Sequence, residues 1–83
     1  MPFIEYRIEN IPDGWEKGFQ SATIQYNGKL GRLQVTKEGE LFYGAVGFYK
    51  DGSRLPIYDR EQSDMFNSID EAIEWCNTKR IDA

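Results

Sequence analysis

Two dipeptides constrain this chain more than any other feature: Asn27-Gly28 and Asp51-Gly52. Each is flanked by stretches in which apolar and polar residues alternate, and Asn-Gly or Asp-Gly in that setting is the strongest short-range signal of a β-hairpin. The alternation carries the strand assignment, because successive side chains of a strand point to opposite faces.

Around Asn27-Gly28, residues 22–26 and 29–36 read as paired strands. A two-residue turn sets Tyr26 opposite Lys29, Ile24 opposite Gly31 and Ala22 opposite Leu33. One face then collects Ala22, Ile24, Tyr26, Leu33 and Val35. The other collects Thr23, Gln25, Leu30, Arg32, Gln34 and Thr36. Around Asp51-Gly52, Phe48 is expected opposite Leu55 and Val46 opposite Ile57. On the other face, Tyr49 pairs with Arg54 and Ala45 with Tyr58. Lys37-Glu38-Gly39-Glu40 joins the hairpins. A four-residue loop there pairs Val35 with Phe42 and places Phe42, Val46, Phe48, Leu55 and Ile57 with Leu33 and Val35 in one core. A three-residue loop would turn every following side chain over.

The flanks are less regular. Residues 3–8 alternate, with Ile4, Tyr6 and Ile8 on one face, as in a half-buried strand. Residues 9–20 read as a loop that begins with the turn chemistry of Ile11-Pro12-Asp13-Gly14 and carries Trp15 and Phe19. Residues 59–66 are polar and read as a second loop. Ser68 then suits a helix N-cap, with Glu71 completing a capping box. Ile69, Ala72, Ile73 and Cys76 form one apolar stripe at helical spacing, with Trp75 on its flank. Asp70 and Glu71 suit the positive end of the helix dipole, and Lys79 and Arg80 the negative end.

Strands followed by a helix make an α+β fold. The expected architecture is an antiparallel meander of four to five strands with one C-terminal helix packed on one face, as a single domain over residues 1–83. In topology alone this order resembles several single-stranded DNA-binding domains and small phage inhibitor proteins; no residue motif accompanies the likeness.

Composition bounds the function. A chain of 83 residues buries roughly 60–65% of its unfolded surface, enough for one core but not for a deep catalytic cavity as well. The net charge is −4. Basic and acidic side chains balance over residues 1–58, so the excess acid falls in residues 59–83, which weighs against general affinity for phosphate backbones. With no histidine and a single cysteine, Cys76, neither an imidazole base nor an intrachain disulfide is available. Cys76 lies on the apolar stripe and reads as a buried structural thiol.

Glu38 and Glu40 sit at a hairpin tip, without the apolar pocket that raises the pKa of a catalytic acid. Asp59, Glu61 and Asp64 read as a solvated acidic loop rather than a metal site. Gly31, Gly44 and Gly47 lack a phosphate-loop context and read as points of bending or close approach in the sheet. Met1-Pro2-Phe3-Ile4-Glu5 has neither the basic nor the apolar region of a secretory signal, and no apolar run reaches the ~20 residues of a membrane span. The expectation is a cytoplasmic protein that is not an enzyme and uses no cofactor, metal or membrane.

What remains is a surface. The face away from the helix is expected to carry Tyr43, Tyr49 and Tyr58 with Arg32 and Arg54, beside Leu30 and Leu41. Tyr and Arg are enriched where proteins bind, because they join contact area to hydrogen-bonding tips. The first expectation is a face for a protein partner or for a second copy of the chain. The alternative is single-stranded nucleic acid stacked on the tyrosines, with Arg32, Arg54 and Lys50 near phosphates. The bland reading is that the tyrosines stabilise the sheet as cross-strand neighbours, or that the loop bearing Trp15 and Phe19 folds over them.

Overall fold

The computed structural model of the chain describes residues 8–18, 22–49 and 56–79, of which 56–60 as backbone only. Five strands run in chain order: β1 (Glu16–Lys17), β2 (Thr23–Asn27), β3 (Gly31–Glu38), β4 (Leu41–Tyr49) and β5 (Pro56–Gln62). They form one antiparallel sheet in the order β1-β2-β3-β4-β5. Helix α1 (Ile69–Asn77) follows and packs on β3 and β4. This is the α+β meander with one C-terminal helix that the alternation implies.

The faces are as expected, but the registers are not. Ile24 lies opposite Val35 and Tyr26 opposite Leu33, not opposite Gly31 and Lys29. The turn has slid two residues along, and Gly28 N donates to Gly31 O at 2.9 Å across Lys29-Leu30. None of Asn27, Gly28, Lys29 or Leu30 has a positive φ, so the Asn-Gly signal marks the hairpin without forming its turn. Packing explains the slide. It sets large apolar residues against each other instead of Ile24 against a glycine. It also places Gly31 where β4 comes closest: a Cβ there would collide with the Gly47 carbonyl. The slide changes the pairing by an even number of residues, so no side chain changes face.

The β3–β4 connection differs in the same harmless way. Glu38 pairs with Leu41, leaving a two-residue turn of Gly39-Glu40. Gly39 has φ 65°, which allows the tight turn at its first central position, and Lys37 and Glu38 join β3. Val35 therefore lies opposite Gly44 rather than Phe42.

Two loop expectations are also corrected. Glu16–Lys17 pairs with β2, a strand too short to show periodicity. Residues 59–62, expected as loop, extend β5 to Gln62; polar residues are tolerated on the last strand of a sheet, where one side needs no apolar cover. Pairing with β4 continues beyond it, since Phe42 and Phe66 exchange backbone bonds of 2.9 and 2.6 Å. The strand expected at 3–8 lies outside the described residues except for Ile8, which is buried.

The core sits between sheet and helix. Ile8, Ile24, Leu33, Val35, Val46, Ala72 and Cys76 are buried. Ser68 caps α1 and forms the capping box with Glu71. Phe48, expected in the core, is 42% exposed. It faces the helix side of the sheet, but a nine-residue helix is only about 13 Å long, and a nine-residue strand spans roughly 30 Å. The helix seats over Gly44 and leaves the far end of β4 uncovered. No described helix is long and apolar enough to cross a membrane.

Candidate interaction face

The sheet face opposite α1 is built from alternate residues of the paired strands. Gln25 faces Gln34, Asn27 faces Arg32, Thr36 faces Tyr43 and Ala45 faces Gln62. Tyr43 and Tyr49 are half-buried. Arg32, Tyr43 and Tyr49 are thus together on this face, as expected. Arg54 lies outside the described residues. Tyr58 lies in β5, and its side chain is also outside them.

The expected pairs Tyr49–Arg54 and Ala45–Tyr58 are not formed. Tyr49 pairs with Pro56 and Ala45 with Gln62. β5 takes up extra residues at an irregularity between Val46 and Phe48, a bulge that no periodicity announces.

Tyr43 and Tyr49 lie on the same strand, opposite Thr36 and Pro56. Trp15 does not cover them. It lies on the helix side against the core, 6.0 Å from the Tyr26 ring at 46°, and lines a cavity of about 290 Å³ with Pro12, Leu33 and Ile73. Phe19 lies outside the described residues. At its β2 end Gly18 lies against Thr23, which is buried; no described strand or helix packs on the rest of the face.

A connected polar network orders one half of it. Asn27 is the hub. Its Oδ1 accepts from Arg32 Nε at 2.8 Å and from the Tyr49 hydroxyl at 3.2 Å. Its Nδ2 donates to Glu16 Oε1 at 2.7 Å, and Gln25 Nε2 donates to the same oxygen at 2.9 Å. Tyr49 also anchors the turn through its backbone, N to Leu30 O at 2.8 Å. In the other half, Gln34, Thr36, Tyr43 and Gln62 line a shallow hollow of about 130 Å³.

Sequence reasoning missed Asn27 and Glu16. In the sequence Asn27 reads as a turn residue, and Glu16 belongs to a strand of two residues. The even spacing of Gln25, Asn27, Arg32 and Gln34 was the signal available.

Behind the face lies Cys76. Its Sγ donates to Gln34 O at 3.6 Å, and burial pushes the thiol up to about 11, so it is held as the neutral thiol. Glu61, one of three acids weighed for a metal, bonds Lys79 at 3.0 Å. Among the described residues, no group of three His, Cys, Asp or Glu is placed to hold a metal ion. No family model matches the chain, and neither a curated protein nor a solved structure matches it.

Proposed function

We infer that the chain is a non-enzymatic interaction protein that docks a protein surface, a second copy of itself or another protein, on the sheet face opposite α1. Arg32, Tyr43 and Tyr49 are its described contact residues, and Arg54 and Tyr58 are assigned to it from the sequence. The observation that carries the reading is the network centred on Asn27. It holds Tyr49 and Arg32 in one arrangement before any partner arrives, which lowers the ordering cost of binding.

The same network favours protein over nucleic acid. Glu16 puts a carboxylate on the face beside Arg32, and a phosphate backbone would meet that negative charge. The pairing of both signs with amides that donate and accept also suits a two-fold contact with a second copy, in which one patch meets itself.

The test is sedimentation at two protein concentrations, followed by titration with a single-stranded oligonucleotide at two salt concentrations. Concentration-dependent association that Arg32→Ala and Tyr49→Ser weaken supports the reading. A monomer that binds the oligonucleotide with steep salt dependence overturns it in favour of nucleic acid.

A further inference from the structure

We propose that Asn27-Gly28 is a latent deamidation site that the fold holds closed, and that opening of the β2–β3 turn converts irreversibly to aspartate or isoaspartate. The chemistry needs only water. The Gly28 backbone nitrogen attacks Cγ of Asn27, the N–Cγ bond forms, and the Cγ–Nδ2 bond breaks. Ammonia leaves with the proton that the Gly28 amide gives up. Water then opens the cyclic imide at either carbonyl, giving aspartate or isoaspartate. Glycine after asparagine favours the attack because no side chain hinders the nitrogen.

Three contacts oppose each part of that step. Asn27 is the last residue of β2, and its extended backbone holds the Gly28 nitrogen away from Cγ. The Gly28 amide is engaged with Gly31 O at 2.9 Å. The Asn27 carboxamide is tethered at both ends, Nδ2 to Glu16 and Oδ1 to Arg32 and Tyr49. Asn27 is itself exposed, so water reaches its carboxamide, while Gly28, which supplies the attacking nitrogen, is buried until the turn opens.

Conversion would not be silent. An aspartate at 27 loses the donor that holds Glu16 at 2.7 Å and sets a second carboxylate against the first, which repels it. Isoaspartate adds a methylene to the backbone and breaks the Asn27–Arg32 register. Loss of the proposed docking surface would follow, and that consequence alone rests on the functional reading above; the chemistry stands without it.

The experiment compares the folded chain with its own tryptic peptide 18–29, which contains Asn27-Gly28 as its one asparagine site. Both are incubated at mildly alkaline pH, the chain is then digested with trypsin, and the mass change of amide-to-acid conversion and the isoaspartate content are read in peptide 18–29 from each. The folded chain is expected to react at least about tenfold more slowly, since the site must open first. Glu16→Ala and Tyr49→Phe, with the helical circular dichroism signal as folding control, are expected to raise the folded rate toward that of the peptide. Equal rates for chain and peptide, or folded rates unmoved in both variants, would overturn the proposal.

Discussion

Cys76 sits directly over Gly44: a Cβ built at position 44 would stand 2.7 Å from its sulfur. The same atom would lie 2.7 Å from Trp75 Cε3 and 3.2 Å from the Ala72 carbonyl oxygen. Glycine in mid-strand is ordinarily a weakness, but here it is what lets the helix lie against the sheet. Gly44→Ala is therefore expected to destabilise, by roughly 1–3 kcal/mol as an overpacked contact. Chain-entropy arguments alone would give the opposite sign. Urea unfolding decides it, and a midpoint at or above that of the parent would show that the helix yields freely.

The buried thiol makes stability depend on pH. The Cys76 thiol rises from an ordinary 9.0 to about 11 in the fold, by desolvation first. Between those values the unfolded chain releases the proton and the folded chain keeps it. Stability from this group is thus complete below pH 9.0 and is lost as pH climbs through about 11. Comparing the unfolding midpoint of the parent with Cys76→Ala across that window isolates the effect. The variant should lose the cysteine's share of the slope, and identical slopes would remove the thiol from the account.

The helix makes an ordering testable. Ser68 Oγ accepts from Glu71 N at 3.3 Å, and Glu71 Oε2 accepts from Ser68 N at 3.3 Å. Ser68→Ala is expected to cost roughly 1 kcal/mol. Ile73 is half-buried against the core, so Ile73→Ala is expected near the low end of the usual range, about 2 kcal/mol. An Ile73→Ala variant milder than Ser68→Ala would mean that Ala72 and Cys76, not the isoleucine, seat the helix.

Those contrasts mark how far the sequence could be read. The helix, its cap and its stripe were legible because each is local: Ser68, Glu71, Ala72 and Cys76 lie within nine positions. The sheet faces were legible because period-two alternation survives any even slip, and the slips between β2 and β3, β3 and β4, and β4 and β5 were all even. The registers were not legible. Ile24 lies opposite Val35 because the pair packs well, and no rule for Asn-Gly turns contains that preference. Glu16–Lys17 and the bulge near Val46 were invisible because they have no period. The face was legible in Tyr43, Tyr49 and Arg32, but its hub, Asn27, was hidden under a turn signal.

Tyr43 and Tyr49 are half-buried, and neither belongs to the core beneath the helix. Tyr43→Ser with Tyr49→Ser should therefore leave one cooperative unfolding transition, with helix and sheet melting together. Association should weaken by about 2 kcal/mol or more if either tyrosine is a hot spot. Salt then separates the occupants. A contact resting on tyrosine area should lose little affinity between low and moderate salt. Single-stranded nucleic acid held through Arg32, Arg54 and Lys50 should lose about tenfold or more over a roughly fourfold rise, because each neutralised phosphate adds nearly one unit to the log–log slope. If the double variant unfolds instead, the tyrosines stabilise the sheet and the face has no binding role to explain them. If it folds and associates like the parent, the contact lies elsewhere, and the exposed Phe48 and Leu30, 42% and 52% accessible at the far end of the sheet, are the next residues to substitute.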